Sequence, residues 1–128
     1  MQKYSQITFL YYEDLEPAAR FYKDVLKLDL VQDQKMAKIY RVGAASYLGI
    51  VDGNKGFLKA QPKSAVLVTL VVDDVEAWHA YLVEQGVKIL QPPKRGIHAE
   101  SVFFEDPGGY ALEIQRFLDP AVQEVFAR

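Results

Sequence analysis

The sequence predicts an α+β fold built from two tandem βαβββ modules, and three observations carry that prediction. First, the chain repeats itself at an offset of sixty residues. Ser5 to Glu16 (SQITFLYYEDLE) falls on Ala65 to Glu76 (AVLVTLVVDDVE), apolar strand on apolar strand, with Asp14 on Asp74 and Glu16 on Glu76. Second, each copy runs from its strand into an acidic pair, Glu13–Asp14 or Asp73–Asp74, whose second member is an N-cap Asp, followed by apolar residues at helical spacing. Third, FFEDPGGYALEI, Phe103 to Ile114, reads as strand, tight turn and strand. Pro107 presets φ for the turn, and Gly108 and Gly109 supply positive φ at no steric cost.

Each element can be justified in order. The first module spans about residues 5–52 and the second about 64–117. A linker of about 53–63 lies between them, and a helical tail covers 118–128. In the first helix Leu15, Ala18, Tyr22 and Val25 form the apolar stripe, with Pro17 tolerated in the first turn because its missing N–H would have no partner there. In the second helix Val75, Trp78 and Leu82 play the same part, and Gly86 is placed for a left-handed cap. Three strands follow each helix: LDLVQDQ, MAKIYRVG and ASYLGIVD in the first module, VKILQPP, ESVFFE and YALEIQRF in the second. The offset grows to sixty-four by the end, which places the extra residues in a QPPKRGIH loop. The linker DGNKGFLKAQPK carries Gly53, Gly56 and Pro62 and reads as turn chemistry. Asp119 and Pro120 fit the N-cap and first position of a short tail helix.

Composition narrows the function. The chain has 128 residues, of which 50% are hydrophobic and 25% charged, the balance of one globular domain. No apolar run approaches the ~20 residues of a membrane helix, and MQKYSQITFL lacks the pattern of an export signal. With no cysteine there is neither disulfide nor thiolate chemistry, so a cytoplasmic location is expected. A net charge of −2 with scattered Lys and Arg excludes a nucleic-acid face. Nucleophile-elbow, phosphate-loop and HExxH motifs are all missing from the sequence.

Two modules of this kind, with EDLEPAARFYKDVL early and FFEDPGGYALEI late, resemble the vicinal oxygen chelate superfamily over nearly the whole chain, Ser5 to Phe117. That superfamily includes glyoxalase I, extradiol dioxygenases, fosfomycin-resistance enzymes and bleomycin-resistance binding proteins. The resemblance implies mixed sheets that curve around a cavity, with helices on the outer face. Strand parity then divides the side chains. Leu10, Tyr12, Val66, Val68, Leu70, Leu112 and Ile114 go beneath helices. Ile7, Phe9, Tyr11, Tyr47, Gly49, Leu67, Thr69, Val71, Ser101, Phe103, Glu113 and Gln115 face the cavity.

Metal-dependent members carry ligands on the first and last strand of each module. The resemblance carries those positions over to Ile7, Gly49, Leu67 and Glu113, of which only Glu113 is a ligand. Three offer no lone pair to a transition ion, and neither His79 nor His98 falls at such a position. No metal and no cofactor is therefore expected. Gln6, next to the first ligand position, would face inward only after a register slip. The expected function is a small-molecule-binding protein of the bleomycin-resistance kind rather than an enzyme, holding an aromatic or cationic ligand. Phe9, Tyr11, Tyr47, Thr69, Ser101, Phe103, Glu113 and Gln115 would form its ligand-binding face, and Arg95 and His98 a candidate lid. Glu113 is the one catalytic candidate, since an unpartnered carboxylate in an apolar pocket could move protons. Two alternatives stay open: a metal-dependent lyase, isomerase or dioxygenase with a non-standard site around Glu113, and an interaction module with a vestigial cavity. A homodimer is expected from the family.

Overall fold

The computed structural model describes residues 1–127. It divides into two compact units, Met1–Pro62 and the remainder from Lys63. Unit 1 holds β1 (Gln6–Tyr12), α1 (Leu15–Arg20), β2 (Asp29–Asp33), β3 (Ala37–Arg41) and β4 (Ser46–Asp52). Its sheet has the order β1-β4-β3-β2, with β1 parallel to β4 and the other pairs antiparallel. Unit 2 holds β5 (Leu67–Val71), α2 (Val75–Glu84), β6 (Lys88–Arg95), β7 (Ala99–Glu105), β8 (Ala111–Phe117) and α3 (Pro120–Phe126), and its sheet repeats the pattern as β5-β8-β7-β6. The predicted βαβββ order is present in both.

In unit 1 the Asp14 carboxylate accepts the Glu16 N–H at 3.3 Å and starts α1. The predicted single helix is in fact α1 continued by a π-helical turn over Phe21–Val25, closed by the Leu26 N–H on the Phe21 carbonyl at 3.1 Å. The widened turn sets the neighbouring rings of Phe21 and Tyr22 edge to face at 5.2 Å, both buried. They pack with Leu10, Tyr12, Tyr40, Leu48 and Ile50, the residues whose parity places them beneath the helix. Leu15 and Val25, expected in that stripe, are only half-buried.

In unit 2 the Asp74 carboxylate caps α2 through the Ala77 N–H at 3.0 Å, and Gly86 ends it at φ +73°. Val75 and Leu82 are buried against Leu70, Val102, Phe104, Leu112 and Ile114. Trp78 is not core as expected. It is half-buried and lies edge-on to Tyr81 at 5.8 Å. Val66 is also corrected: it precedes β5 and is exposed, because the strand begins one residue later. The strand read as VKILQPP runs on through Lys94 and Arg95, expected in the loop, and β6 absorbs the extra residues in two bulges. Bulges and prolines on this edge strand protect it from pairing with another chain.

The turn between β7 and β8 uses one glycine rather than two. Gly109 sits at φ +91°, whereas Gly108 has no positive φ. Asp106 does the remaining work. It is buried, and one of its oxygens accepts the N–H groups of Gly108 and Tyr110, each at 2.9 Å. The linker is folded onto unit 1: the Gly53 N–H reaches the Tyr12 carbonyl at 2.7 Å, and Asp52 accepts from the Asn54 N–H at 2.9 Å. α3 begins at the expected Asp119 cap with Pro120 first, and Phe126 stacks on Phe117 at 4.9 Å.

Candidate functional site

Each sheet has one face beneath its helices and one face turned away from them, and the second carries the candidate residues. Residues paired across strands point to the same side, so register arranges this face in rows. In unit 1 one row is Ile7–Tyr47–Arg41–Asp29, the next is Phe9–Gly49–Ile39–Gln32, and the third is Tyr11–Val51–Ala37. In unit 2 the equivalent rows are Leu67–Ala111–Glu105–Lys88, then Thr69–Glu113–Phe103–Gln91, then Val71–Gln115–Ser101–Lys94. The sequence-predicted residues therefore fall into two groups, one on each unit's sheet. The register contains no slip that would turn Gln6 to this face; its side chain bonds to Thr8 on the other side of the sheet.

The face of unit 1 is apolar and partly open. Ile7 and Phe9 are 41% and 42% exposed. The Phe9 ring lies directly over Gly49, so closely that a Cβ there would run into the ring. Gly49 is what lets an aromatic ring lie flat against the strand. The third row is closed instead: Gly56 of the linker sits on Tyr11 and Val51, its hypothetical Cβ 2.8 Å from a Tyr11 ring carbon and 2.6 Å from Val51. Arg41, missed at the level of sequence, completes the first row. Its Nη1 donates to the Tyr47 hydroxyl at 2.8 Å, and its guanidinium carbon lies 5.1 Å from the centre of that ring.

The face of unit 2 centres on Glu113, which is 6% exposed. Thr69, its cross-strand partner on β5, donates its hydroxyl to Oε1 at 2.7 Å, and Gln115, two residues on and therefore on the same face, donates its amide to Oε2 at 3.1 Å. Glu113 is thus partnered, contrary to the unpartnered carboxylate that proton shuttling would favour. A carboxylate has about four lone-pair sites, so two donors leave capacity to accept an N–H or O–H from a ligand. Phe103 stands beside Glu113 in the same row and Ser101 beside Gln115, both half-buried. Arg95 and His98 sit at the β6–β7 turn. Arg95 Nε reaches Glu100 at 4.0 Å with most of its side chain exposed, and the His98 carbonyl accepts the Leu118 N–H at 2.9 Å.

The residues present do not fit the metal of the family's enzymes. Ile7, Gly49 and Leu67 have no donor side chain, and Glu113 is held by Thr69 and Gln115. Among the described residues no three His, Cys, Asp or Glu side chains come together as a metal would need. A crevice of about 390 Å³ in unit 1, lined by Glu13, Asp14, Leu15, Glu16, Lys35, Lys38 and Asp52, is charged and open rather than a hydrophobic pocket.

Two βαβββ modules, each with an apolar or hydrogen-bonded face beside its helix-covered one, define a class of fold, and the sequence comparison names it. The profile of the Glyoxalase/Bleomycin resistance protein/Dioxygenase superfamily matches residues 4–114, and the chain belongs to that family. The fold is shared with a lactoylglutathione lyase from Agrobacterium tumefaciens (TM-score 0.73, 22% identity, 87% of this chain and 91% of that one). It is shared also with a superfamily member from Sphaerobacter thermophilus (TM-score 0.77, 19% identity, 90% and 98%). A third similar structure is TioX from a Micromonospora species (TM-score 0.75, 17% identity, 89% and 98%). No curated protein matches the chain by sequence.

Proposed function

We propose that the protein binds an aromatic small molecule without a metal, in the manner of the family's binding proteins. One observation carries this reading: three of the four ligand positions are Ile7, Gly49 and Leu67, and Gly49 is used instead to seat the Phe9 ring. A position that a metalloenzyme of this family gives to a ligand here builds an aromatic surface. Partly exposed rings on a sheet are a ready stacking surface for a planar ligand. The face of unit 2, taken by itself, offers Glu113, Thr69 and Gln115 as a polar anchor that accepts an N–H, so a cationic group is within the expected range of that face. Arg95 and His98 are proposed as a lid over the face of unit 2, a homodimer as the assembly, and the cytoplasm as the location.

The test is calorimetry and tyrosine and tryptophan fluorescence against a panel of planar aromatic compounds of each charge. Saturable binding by protein washed with chelator supports the reading; no binding by any member of the panel overturns it. The buried carboxylate of Glu113 favours one second reading, an enzyme with a metal held by that residue. Protein purified without chelator would then contain stoichiometric Zn, Ni, Fe or Mn that Glu113→Gln removes.

A further inference from the structure

We infer that the open face of unit 1 selects aromatic ligands that carry an anionic group, with Arg41 as the residue that grips it. This rests on the binding function proposed above and names the ligand class of that same face.

The two units supply their own comparison. At equivalent places in the two sheets, unit 2 sets Lys88 opposite Glu105 and unit 1 sets Asp29 opposite Arg41. In unit 2 the charges close an ion pair at 3.1 Å. In unit 1 the carboxylate and guanidinium stand on neighbouring strands, as in unit 2, yet they do not meet within 4 Å. Arg41 turns along the row to the Tyr47 hydroxyl at 2.8 Å. Unit 2 has Ala111 where unit 1 has Tyr47, so only unit 1 offers that alternative. Among the described residues no carboxylate neutralises Arg41, and one hydrogen bond to a neutral hydroxyl leaves most of its five N–H donors unused.

The position of this cation decides its use. Arg41 lies in the row beside Phe9 and Gly49, at the open end of the face, whereas the other end is closed by Gly56 on Tyr11 and Val51. A planar ligand stacked on Phe9 is stopped on one side by the linker and meets the guanidinium on the other. Arginine's planar fork matches a carboxylate bidentately, and Tyr47 restrains it beforehand, which lowers the cost of ordering it on binding.

The experiment uses three probes of one shape: 2-naphthoate, 2-naphthamide and 2-naphthylmethylammonium. Titration of the full chain is expected to show 2-naphthoate bound about tenfold or more tightly than the amide. Arg41→Met is expected to abolish that preference, and Tyr47→Phe to reduce it in part. Amide-proton NMR shifts should fall on Phe9, Ile39 and Tyr47. If all three probes bind alike, or the ammonium binds best and Arg41→Met changes nothing, the inference is overturned while aromatic binding stands. If none binds, both fall together.

Discussion

Gly49→Ala tests whether the aromatic floor of unit 1 is built as described. The new Cβ would occupy space held by the Phe9 ring, and the ring must leave. Phe9 is 42% exposed, so somewhat more than half of its surface is at stake. A phenylalanine buries 150–250 Å² when fully covered, so displacement uncovers about 100 Å², or about 2.5 kcal/mol at 25 cal/mol per Å². Replacing glycine within a strand returns about 0.5–1 kcal/mol through the unfolded chain. The net expectation is a loss of about 1.5–2 kcal/mol, which urea unfolding reads as a midpoint lowered by about 1 M for a domain of this size. A double-mutant cycle isolates the cause: in a Phe9→Ala background Gly49→Ala should cost nothing and instead stabilise slightly. Undiminished stability of the single variant, or equal losses in both backgrounds, would refute the packing of Phe9 on Gly49.

Three further outcomes are expected. Glu113→Leu strands the Thr69 hydroxyl and the Gln115 amide without their acceptor and should cost about 1–3 kcal/mol in urea unfolding. Glu113→Gln, which can accept from Thr69 while Gln115 rotates its amide, should cost less than about 1 kcal/mol. Tyr40 has its proton held above the ordinary value of 10.0, because burial disfavours the phenolate and the charges of Asp33 and Asp24 add to it. The unfolded chain therefore releases this proton first, so its contribution is full below pH 10.0 and is lost as pH rises through the folded value. Tyr40→Phe should flatten the alkaline limb of a stability–pH profile, its hydroxyl's 3.4 Å bond to the Ala19 carbonyl being too long to matter much at neutral pH. Gln123→Ala removes a bond accepted from the Phe117 N–H at 2.9 Å and one donated to the Val72 carbonyl at 2.8 Å. It should free α3, seen as faster proteolysis of the tail and a stability loss of about 1–2 kcal/mol.

What was legible in the sequence was whatever local chemistry and period decide. The Asp14 and Asp74 caps, the Gly86 stop and the Asp119–Pro120 start follow from residue type and spacing alone, whereas the buried side of Leu10, Tyr12, Leu112 and Ile114 follows from strand parity combined with the family resemblance. The failures share a different cause. The growing offset places the extra residues in a QPPKRGIH loop, but at a sheet edge the missing N–H groups of Pro92 and Pro93 need no partner and bulges absorb the extra length within the strand. Gly108 and Gly109 look alike as turn formers; only the two N–H groups reaching Asp106 decide which takes positive φ. Arg41 carries no signal of its own, because its meaning comes from cross-strand register. At an offset of sixty-four Arg41 falls on Glu105, but Asp29 and Lys88 stand fifty-nine apart, so only the strand register brings out the charge inversion.

The repeat also explains why the two faces differ in kind. Phe9 and Gly49 stand opposite each other in unit 1, and Thr69 and Glu113 stand opposite each other at the same place in unit 2. A cross-strand pair must fill one volume and satisfy its own polar groups. Unit 1 meets that with a large ring over no side chain at all; unit 2 meets it with a hydroxyl donating to a carboxylate. Exchanging one member alone breaks both conditions: a carboxylate at Gly49 would collide with Phe9, and a glycine at Glu113 would leave Thr69 and Gln115 donating to nothing. A histidine or glutamate introduced at Gly49 has to displace the Phe9 ring first, so by itself it should not create a metal site in unit 1.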